Sequence, residues 1–205
     1  MSRLRDPRHR HDAFFKKARG AGFAARAVYK LEEIDRRLRL LRAGDRVLDL
    51  GCRPGSWLQY ARQAVGPHGA VVGIDRDPLP HGIAGARVLV GDVFAVTDAE
   101  LLGELKAFDV VLSDMAPNTT GIRATDQARS AALVEEALAR AERLLAPGGA
   151  FVAKVFQGPD VDLIRKRMGA RFSEVKMLKP ESSRAESPEI YLAGKGFIPA
   201  SSAGC

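Results

Sequence analysis

The sequence predicts one α/β domain with a mostly parallel sheet and helices on both faces, and two patterns support this prediction. At residues 46–57 (RVLDLGCRPGSW), the apolar run Val47–Leu50 leads into Gly51 and Gly55, and a predicted helix, Ser56–Val65, follows. Downstream, short apolar strands alternate with helical segments, which is typical of parallel sheets that are covered on both faces. A chain of 205 residues is long enough to bury a sizeable core in one domain.

The remaining elements follow from hydrophobic periodicity and from turn residues. Before the turn, the sequence predicts a helix that starts at Asp12 and runs to about Arg19, and a second helix, Arg26–Leu38. Beyond it, the predicted strands are Ala70–Ile74, Arg87–Val90, Phe108–Ser113, Ala150–Phe156, Phe172–Leu178 and Glu189–Ala193. The predicted helices are Asp98–Leu105, with Asp98 as the N-cap, Gln127–Leu145 and Asp160–Met168. We therefore expect a basic flexible arm over residues 1–11, a single domain over 12–196 and a frayed tail over 197–205.

The positive charge is concentrated at the start of the chain. The formal net charge is +7, but residues 1–42 carry +8 and the remainder carries −1. A cationic block on a nearly neutral domain indicates a polyanionic partner, most simply nucleic acid, although a solubilising tail is the alternative. The candidate RNA-binding residues are Arg3, Arg5, Arg8, Arg10, Lys16, Lys17 and Arg19.

The composition argues against several other classes of protein. Cys52 and Cys205 are the two cysteines, so neither a disulfide framework nor a cysteine-rich zinc site is expected, and we predict no metal. The sequence lacks an apolar run near the roughly 20 residues that span a bilayer. The basic N-terminus is not followed by the apolar segment of a signal peptide. We therefore expect a cytoplasmic protein without a membrane partner.

Acidic residues end several of the predicted strands, where open α/β sheets bind their ligands. Asp75 lies 24 residues after Gly51, a position from which a carboxylate can accept hydrogen bonds from ribose hydroxyls. Asp92 is placed to meet an adenine amino group, and Asp114 ends the next strand. Each acid alone is equally well explained as a helix cap or a turn residue, but together with the glycine turn they predict a nucleoside-binding crevice.

The turn departs from the dinucleotide-binding pattern, because three residues separate Gly51 from Gly55 and no Gly-x-Gly pair is present. The form D-x-G-x-x-x-G suits S-adenosyl-L-methionine, which has no phosphate. Trp57 lies either against this ligand or in the core. Lys154 is unusual because it interrupts the apolar strand FVAKVF, where a charged ammonium is costly unless it is paired or neutralised. It is either a lysine that reaches solvent from the strand end or a base with a lowered pKa.

Four strings resemble the FtsJ/RrmJ family of ribosomal-RNA 2′-O-methyltransferases, and the resemblance extends over nearly all of residues 12–194. The strings are ARAVYKLEEID (Ala25–Asp35), SDMAPNTTG (Ser113–Gly121), FVAKVFQG (Phe151–Gly158) and KPESSRAESPEIYLA (Lys179–Ala193). The resemblance implies the Rossmann-like methyltransferase fold, a mostly parallel seven-stranded sheet whose last strand is antiparallel. It also implies a Lys-Asp-Lys-Glu catalytic tetrad at Lys30, Asp114, Lys154 and Glu189. S-adenosyl-L-methionine would be held by Gly51, Gly55, Trp57, Asp75, Asp92 and Asp114.

The glycine turn departs from the family pattern at three positions. Cys52 and Arg53 stand where the family has small residues, and Ser56 replaces the second glycine before Trp57. Because the sulfonium of the cofactor is cationic, we expect the Arg53 side chain to point away from it.

The resemblance implies methylation of the ribose 2′-OH of a uridine in large-subunit (23S) ribosomal RNA, on the assembled subunit. A monomer fits a small enzyme that docks on such a large particle. Met115, within SDMAPN, favours the bacterial ribosomal branch over the transfer-RNA branch. The alternatives are a 2′-O-methyltransferase of transfer RNA or of an RNA cap, and a non-catalytic RNA-binding protein of ribosome assembly. An NAD-dependent oxidoreductase would share the sheet, but it would leave Lys30 and Lys154 unexplained.

Overall fold

A computed structural model describes residues 14, 16–183 and 186–200, and its centre is a seven-stranded sheet. The strands are β1 (Arg46–Leu50), β2 (Ala70–Asp75), β3 (Ala86–Val90), β4 (Phe108–Ser113), β5 (Leu145–Phe156), β6 (Phe172–Leu178) and β7 (Glu189–Phe197). Their spatial order is β3-β2-β1-β4-β5-β7-β6. Strands β1 to β5 pair in parallel, and β7 runs antiparallel to both β5 and β6. The predicted mostly parallel sheet with an antiparallel last strand is confirmed.

Helices cover both faces of the sheet, as predicted. They are α1 (Val28–Leu38), α2 (Ser56–Val65), α3 (Asp98–Leu102), α4 (Arg123–Leu144) and α5 (Val161–Gly169), and residues 16–20 are also helical. On one face, α1 and α2 pack on the sheet through buried residues such as Ile34 and Leu58. On the other face, α4 and α5 do so through residues such as Leu138 and Ile164. Because side chains alternate along a strand, each buried strand contributes to both cores.

The prediction that Asp98 caps α3 is wrong, because Thr97 is the N-cap. The Thr97 hydroxyl accepts a hydrogen bond from the Glu100 amide at 3.2 Å, and the Glu100 carboxylate accepts one from the Thr97 amide at 2.8 Å. This reciprocal pair is a capping box. The Asp98 carboxylate instead pairs with Arg140 on α4 at 2.8 Å. Helix α3 ends at Leu102, three residues earlier than predicted, because Gly103 follows with φ of 56° and ψ of −115°, which is outside the helical region.

Two helix starts also differ from the prediction. Helix α4 begins at Arg123 rather than Gln127, because the Asp126 carboxylate accepts hydrogen bonds from the Thr120 and Gly121 amides just before the helix. Helix α1 begins at Val28 rather than Arg26. The start predicted at Asp12 lies outside the described residues.

The last strand is longer than predicted. The predicted frayed tail, 197–205, therefore starts one residue too early, because residue 197 still belongs to the strand. Strand β7 continues four residues past Ala193 to Phe197, which is buried. Phe197 pairs with Phe172 on β6, and their ring centroids lie 5.4 Å apart. Strand β5 likewise begins at Leu145 rather than Ala150. Residues 1–11 and 201–205, to which the arm and most of the tail were assigned, lie outside the described part of the chain.

Among the described residues, no helix has both the length and the apolar character needed to cross a membrane.

Candidate active site

The glycine turn lies at the carboxyl end of β1 and requires both of its glycines. Gly51 has φ of 77°, and a Cβ there would lie 2.5 Å from Cγ of Met115. Gly55 has φ of 107°, where an L side chain is strained, and it precedes the first turn of α2. The Gly51 and Cys52 amides donate to the Ile74 carbonyl at 2.9 and 3.1 Å. The turn therefore presents bare backbone beside the end of β2.

The acids at the ends of β2 and β3 lie at the same edge of the sheet as this turn. Register places Asp75 opposite Val90, two residues before Asp92. One Asp75 oxygen accepts from the Arg53 amide at 2.9 Å, so this carboxylate ties the glycine turn to β2. One Asp92 oxygen accepts from the Phe94 amide, and the other pairs with Arg76, both at 3.0 Å. Both carboxylates are only partly buried, and a ligand in the crevice could replace these local partners.

Arg53 directs its guanidinium towards another acid of this loop region. Its Nη1 lies 3.4 Å from Asp77, and about half of the side chain is exposed. An exposed pair of this kind contributes little to stability.

The side chain of Trp57 packs in the core. It is 2% exposed, its indole N–H donates to the Ala27 carbonyl at 2.8 Å, and its ring centroid lies 5.9 Å from that of Tyr191. Of the two predicted roles, the structure therefore assigns packing to the indole, which joins α1, α2 and β7. The backbone of Trp57, in the first turn of α2, is the part that a ligand in the turn can approach.

Asp49 is the most unusual acid of the site, and the sequence indicated it only as the acid that precedes the turn. Its carboxyl is fully buried in β1, and neither oxygen has a hydrogen-bond partner among the described residues. Burial raises the pKa of Asp49 well above its ordinary value, and the nearby charges of Asp114 and Asp75 raise it further. An unpartnered acid beside a bare backbone turn fits a ligand that brings a positive charge.

The four residues of the predicted tetrad form two ion pairs. Nζ of Lys30 on α1 lies 2.7 Å from Oε2 of Glu189, the first residue of β7. Nζ of Lys154 on β5 donates to the Asp114 carbonyl at 2.7 Å and lies 3.1 Å from its Oδ1. The two lysine side chains are 9% and 7% exposed. Each buried ammonium therefore has a carboxylate, as the cost of burying a charge requires.

Tyr191 connects the two pairs, and the sequence analysis missed it. Its hydroxyl donates to Oδ1 of Asp114 at 3.0 Å, while Nζ of Lys30 lies 5.9 Å from the centre of its ring. Strand pairing also places Tyr191 directly opposite Lys154. Burial and the charges of Asp114 and Glu189 raise the pKa of Tyr191 well above its ordinary value, so the hydroxyl keeps its proton. The spacing of two residues between Glu189 and Tyr191 could have indicated this role, because residues 189 and 191 lie on the same face of a strand.

The charge state of Glu189 reflects both lysines. Burial acts to raise the pKa of this carboxyl, but the charge and hydrogen bond of Lys30, together with the charge of Lys154, outweigh burial and lower it. Glu189 is thus held as a carboxylate at neutral pH. Two basic nitrogens and two carboxylates meet at the edge of the sheet that carries the glycine turn, an arrangement that can orient a hydroxyl and accept its proton.

The predicted RNA-binding residues are described only in part. Lys16, Lys17 and Arg19 are exposed on the helical segment 16–20, and Nζ of Lys17 lies 4.6 Å from the ring centre of Tyr29. The other candidates, Arg3, Arg5, Arg8 and Arg10, lie outside the described residues.

A family model, curated relatives and a solved structure all match this chain, and they agree on one family. Residues 23–197 match the family model described as FtsJ-like methyltransferase. The chain is 51% identical over 185 residues to the ribosomal RNA large subunit methyltransferase E of Desulfatibacillum aliphaticivorans, covering 89% of each chain. It is 49% identical over 191 residues to the protein of the same name from Sorangium cellulosum (strain So ce56), covering 93% of this chain and 90% of the relative. A crystal structure of a ribosomal RNA methyltransferase from Plasmodium falciparum superimposes with a TM-score of 0.77 at 26% identity, covering 86% of this chain and all of that one.

Proposed function

The chain belongs to the FtsJ-like methyltransferase family, and on that premise we propose that it methylates a ribose 2′-OH of large-subunit ribosomal RNA. The methyl donor would be S-adenosyl-L-methionine. The observation that carries the proposal is the pair of buried lysine–carboxylate contacts, joined by Tyr191, at the sheet edge that holds the glycine turn. A methyltransferase acting on a hydroxyl needs such a cluster, because the acceptor oxygen must be aligned and its proton removed.

The residues at the turn fit the proposed donor. S-adenosyl-L-methionine supplies a methyl group that is activated by a cationic sulfonium. Gly51, Gly55 and the backbone of Trp57 would form the cradle, and Asp75 and Asp92 would accept hydrogen bonds from the nucleoside part. The buried, unpartnered carboxyl of Asp49 supports a positively charged ligand close to this turn.

Each tetrad residue has a distinct role in the proposed mechanism. Lys154, as a neutral amine, would accept the proton of the ribose 2′-OH, and the donor would supply the methyl group to that oxygen and leave as its neutral thioether. Asp114 would orient Lys154 through the contacts at 2.7 and 3.1 Å. Lys30 positions the nucleotide, and Glu189 holds Lys30 through the 2.7 Å pair. Alignment of the reacting atoms supplies much of the rate gain, since intramolecular positioning alone lowers barriers by about 7–11 kcal/mol.

The choice of substrate rests on the relatives and on charge. The two bacterial relatives bear names that specify the large ribosomal subunit, and the chain covers about nine-tenths of each. Exposed Lys16, Lys17 and Arg19 would grip RNA phosphates and make binding weaken with salt. We further propose that the acceptor is a uridine, that the assembled subunit is the substrate and that the enzyme acts as a monomer.

Purified large subunits from a strain that lacks the gene provide the test. Incubation with the protein and methyl-labelled S-adenosyl-L-methionine should place the label on one uridine ribose of the large-subunit RNA, mapped by nuclease digestion and mass spectrometry. Parallel incubations with naked ribosomal RNA and with transfer RNA separate the substrate classes. Label found only on transfer RNA would overturn the substrate assignment, and no label on any RNA would overturn the enzymatic one.

A further inference from the structure

The structure contains a small open cavity that neither the glycine turn nor the tetrad uses. It has a volume of about 240 Å³ and is lined by Ala18, Arg19, Phe23, Ala24 and Ala25. This is below the roughly 300 Å³ at which pockets for whole small molecules begin, so the space suits a single flat ring system. Its wall leads directly into α1, the helix that carries Lys30.

Hydrogen bonds to α2 hold the wall of this cavity in place. The Ala24 amide donates to Oε1 of Gln59 at 2.8 Å, and Nε2 of Gln59 donates to the Gly22 carbonyl at 3.2 Å. The Phe23 amide donates to the Ala18 carbonyl at 2.9 Å, which closes the turn. A loop fixed at three points is preorganised, so a ligand that binds there need not order it.

The side chains of the wall combine an aromatic ring, a cation and small apolar groups. Phe23 is half-buried and packs against the cluster of Ala18, Val28 and Tyr29, while Arg19 is exposed beside it. An aromatic face with an adjacent guanidinium is the chemistry that binds single-stranded nucleic acid, since the ring stacks on a base and the cation meets a phosphate. The alanines lack polar groups that would read the edge of a base, which favours stacking without strong sequence preference.

The cavity is within reach of the tetrad along one strand of RNA. Ala25 precedes Lys30 by five residues, so their Cα atoms lie no more than about 18 Å apart even if the chain were fully extended. The connection is shorter than that limit because residues 28–30 are already helical. A nucleotide close to the methylated one could therefore occupy the cavity while its neighbour lies at Lys30.

We propose that the Phe23–Arg19 cavity is a base-stacking subsite, which binds an unpaired nucleobase of the RNA close to the methylated nucleotide. This inference rests on the proposed function for the identity of the RNA. It adds to the phosphate contacts of Lys16, Lys17 and Arg19 a contact with a base, which would hold the strand in register relative to the tetrad.

The first test measures binding of a fluorescent single-stranded oligoribonucleotide that contains the mapped target and its flanking residues. Phe23→Leu keeps an apolar side chain but removes the aromatic face, and it should weaken binding about 5- to 150-fold, the range expected for loss of one stacked base. Phe23→Trp should bind like the unsubstituted protein. Phe94→Leu, at a phenylalanine that is 50% exposed beyond β3, is the matched control and should leave RNA affinity unchanged. Thermal unfolding of each variant reports any purely structural effect.

The second test locates the base. Oligonucleotides with a single abasic residue at successive positions should show one position, close to the target, where loss of the base weakens binding to the unsubstituted protein but not to Phe23→Leu. Such non-additivity identifies a direct pair. Arg19→Gln should reduce the slope of log affinity against log salt by about one, whereas Phe23→Leu should leave the slope unchanged.

Two results would overturn the subsite. Equal RNA binding by Phe23→Leu and the unsubstituted protein would exclude stacking. Weakened binding of Phe23→Leu to whole ribosomal subunits but not to the oligonucleotide would assign the cavity to a protein partner. Failure of methyl transfer would count against the proposed function, and comparison of the unsubstituted protein with Phe23→Leu on a single-stranded oligoribonucleotide of mixed sequence would then still test stacking by Phe23.

Discussion

The glycine turn and the tetrad lie at one edge of the same sheet, but they are built in opposite ways. The turn is made of residues close in sequence, and its backbone amides reach only to the neighbouring strand β2: the Gly51 amide donates to the Ile74 carbonyl and the Arg53 amide to Asp75, 22 residues away. The tetrad pair of Lys30 and Glu189 joins residues 159 apart, and Lys154 and Asp114 are 40 apart. Local chain geometry can form the first region, whereas only the complete sheet assembles the second.

The two regions also differ in how their charges are balanced. In the tetrad, each buried lysine has a carboxylate within 3.1 Å. At the turn, Asp49 is buried without a partner among the described residues, and Asp75 and Asp92 are held by backbone amides and Arg76. The tetrad residues are therefore paired with one another before any substrate arrives, while the turn keeps a buried carboxyl without a partner, beside which a cationic ligand would fit. Substitutions in the two regions should consequently affect different steps.

The largest effect is expected at Lys154. Lys154→Met keeps an apolar chain of similar length but removes the amine, and it should lower methyl transfer by at least about 100-fold, the scale of general-base catalysis. Affinity for S-adenosyl-L-methionine, measured by calorimetry, should stay close to that of the unsubstituted protein. The control is Lys176→Met on β6, a lysine that is half-exposed and pairs with Glu174. Undiminished turnover in Lys154→Met would rule out the base assignment.

The next largest effect is expected at Gly55, on the turn. Gly55→Ala places a Cβ at φ of 107° and 3.0 Å from Cδ1 of Ile83, so it should weaken cofactor affinity by about 10-fold or more through distortion of the cradle. Gly66→Ala at the other end of α2 is the matched control, because Gly66 also has positive φ (66°) but nothing lies within 4 Å of the added Cβ. Cofactor affinity of both variants, measured by titration calorimetry, separates the effect of backbone strain from the effect of a distorted cofactor site. Equal losses of cofactor affinity would show that strain in α2, and not the cradle, is responsible.

A smaller effect is expected at Tyr191, which links the two tetrad pairs. Tyr191→Phe removes the hydrogen bond to Asp114 and should lower kcat by a few-fold, in line with about 1 kcal/mol for one such bond. KM for RNA and cofactor affinity should change little, because the hydroxyl contacts Asp114 and not the ligands. A pH–rate profile adds a second readout, because the hydroxyl lies among the charged groups of the tetrad and its loss should displace the limbs of the profile. A profile and kcat identical to those of the unsubstituted protein would show that the link is only structural.

The smallest effect, on stability, is expected at Asp49. In the unfolded chain this carboxyl titrates near 3.8, and in the fold its pKa is well above that value, so the folded state retains a proton that the unfolded state loses. The contribution of Asp49 to stability without cofactor should therefore fall as the pH rises from about 4 towards neutrality. Asp49→Asn should lack this fall. Its Tm should exceed that of the unsubstituted protein at pH 8 and differ less from it at pH 5. Its cofactor affinity should be reduced. The same pH dependence of Tm in both proteins would contradict a raised pKa at Asp49.

Much of the fold was predictable because it follows from local patterns. The bounds of β4 and β6 were predicted to the residue, since apolar runs between turn residues define buried strands. The errors occurred where a side chain reached beyond its own element. Thr97 replaced Asp98 as the cap of α3 because Asp98 pairs with Arg140 on α4, a contact that spans 42 residues. The extension of β7 to Phe197 depends on pairing with β6, and the alternation of apolar residues within β7 does not indicate this pairing.

The sequence by itself determined the α/β class, the glycine turn and the strand-end acids, because backbone propensity and the alternation of apolar residues act over a few neighbouring positions. The resemblance to a family indicated which four residues form the tetrad, but not how they meet. Only the tertiary structure decided that Lys30 pairs with Glu189 and Lys154 with Asp114, that Tyr191 joins the two pairs and that Trp57 packs inside. Those outcomes depend on the position of β7 in the sheet, between β5 and β6. They also depend on burial, because an unpaired charge is costly inside the protein and each buried lysine therefore needs a carboxylate beside it.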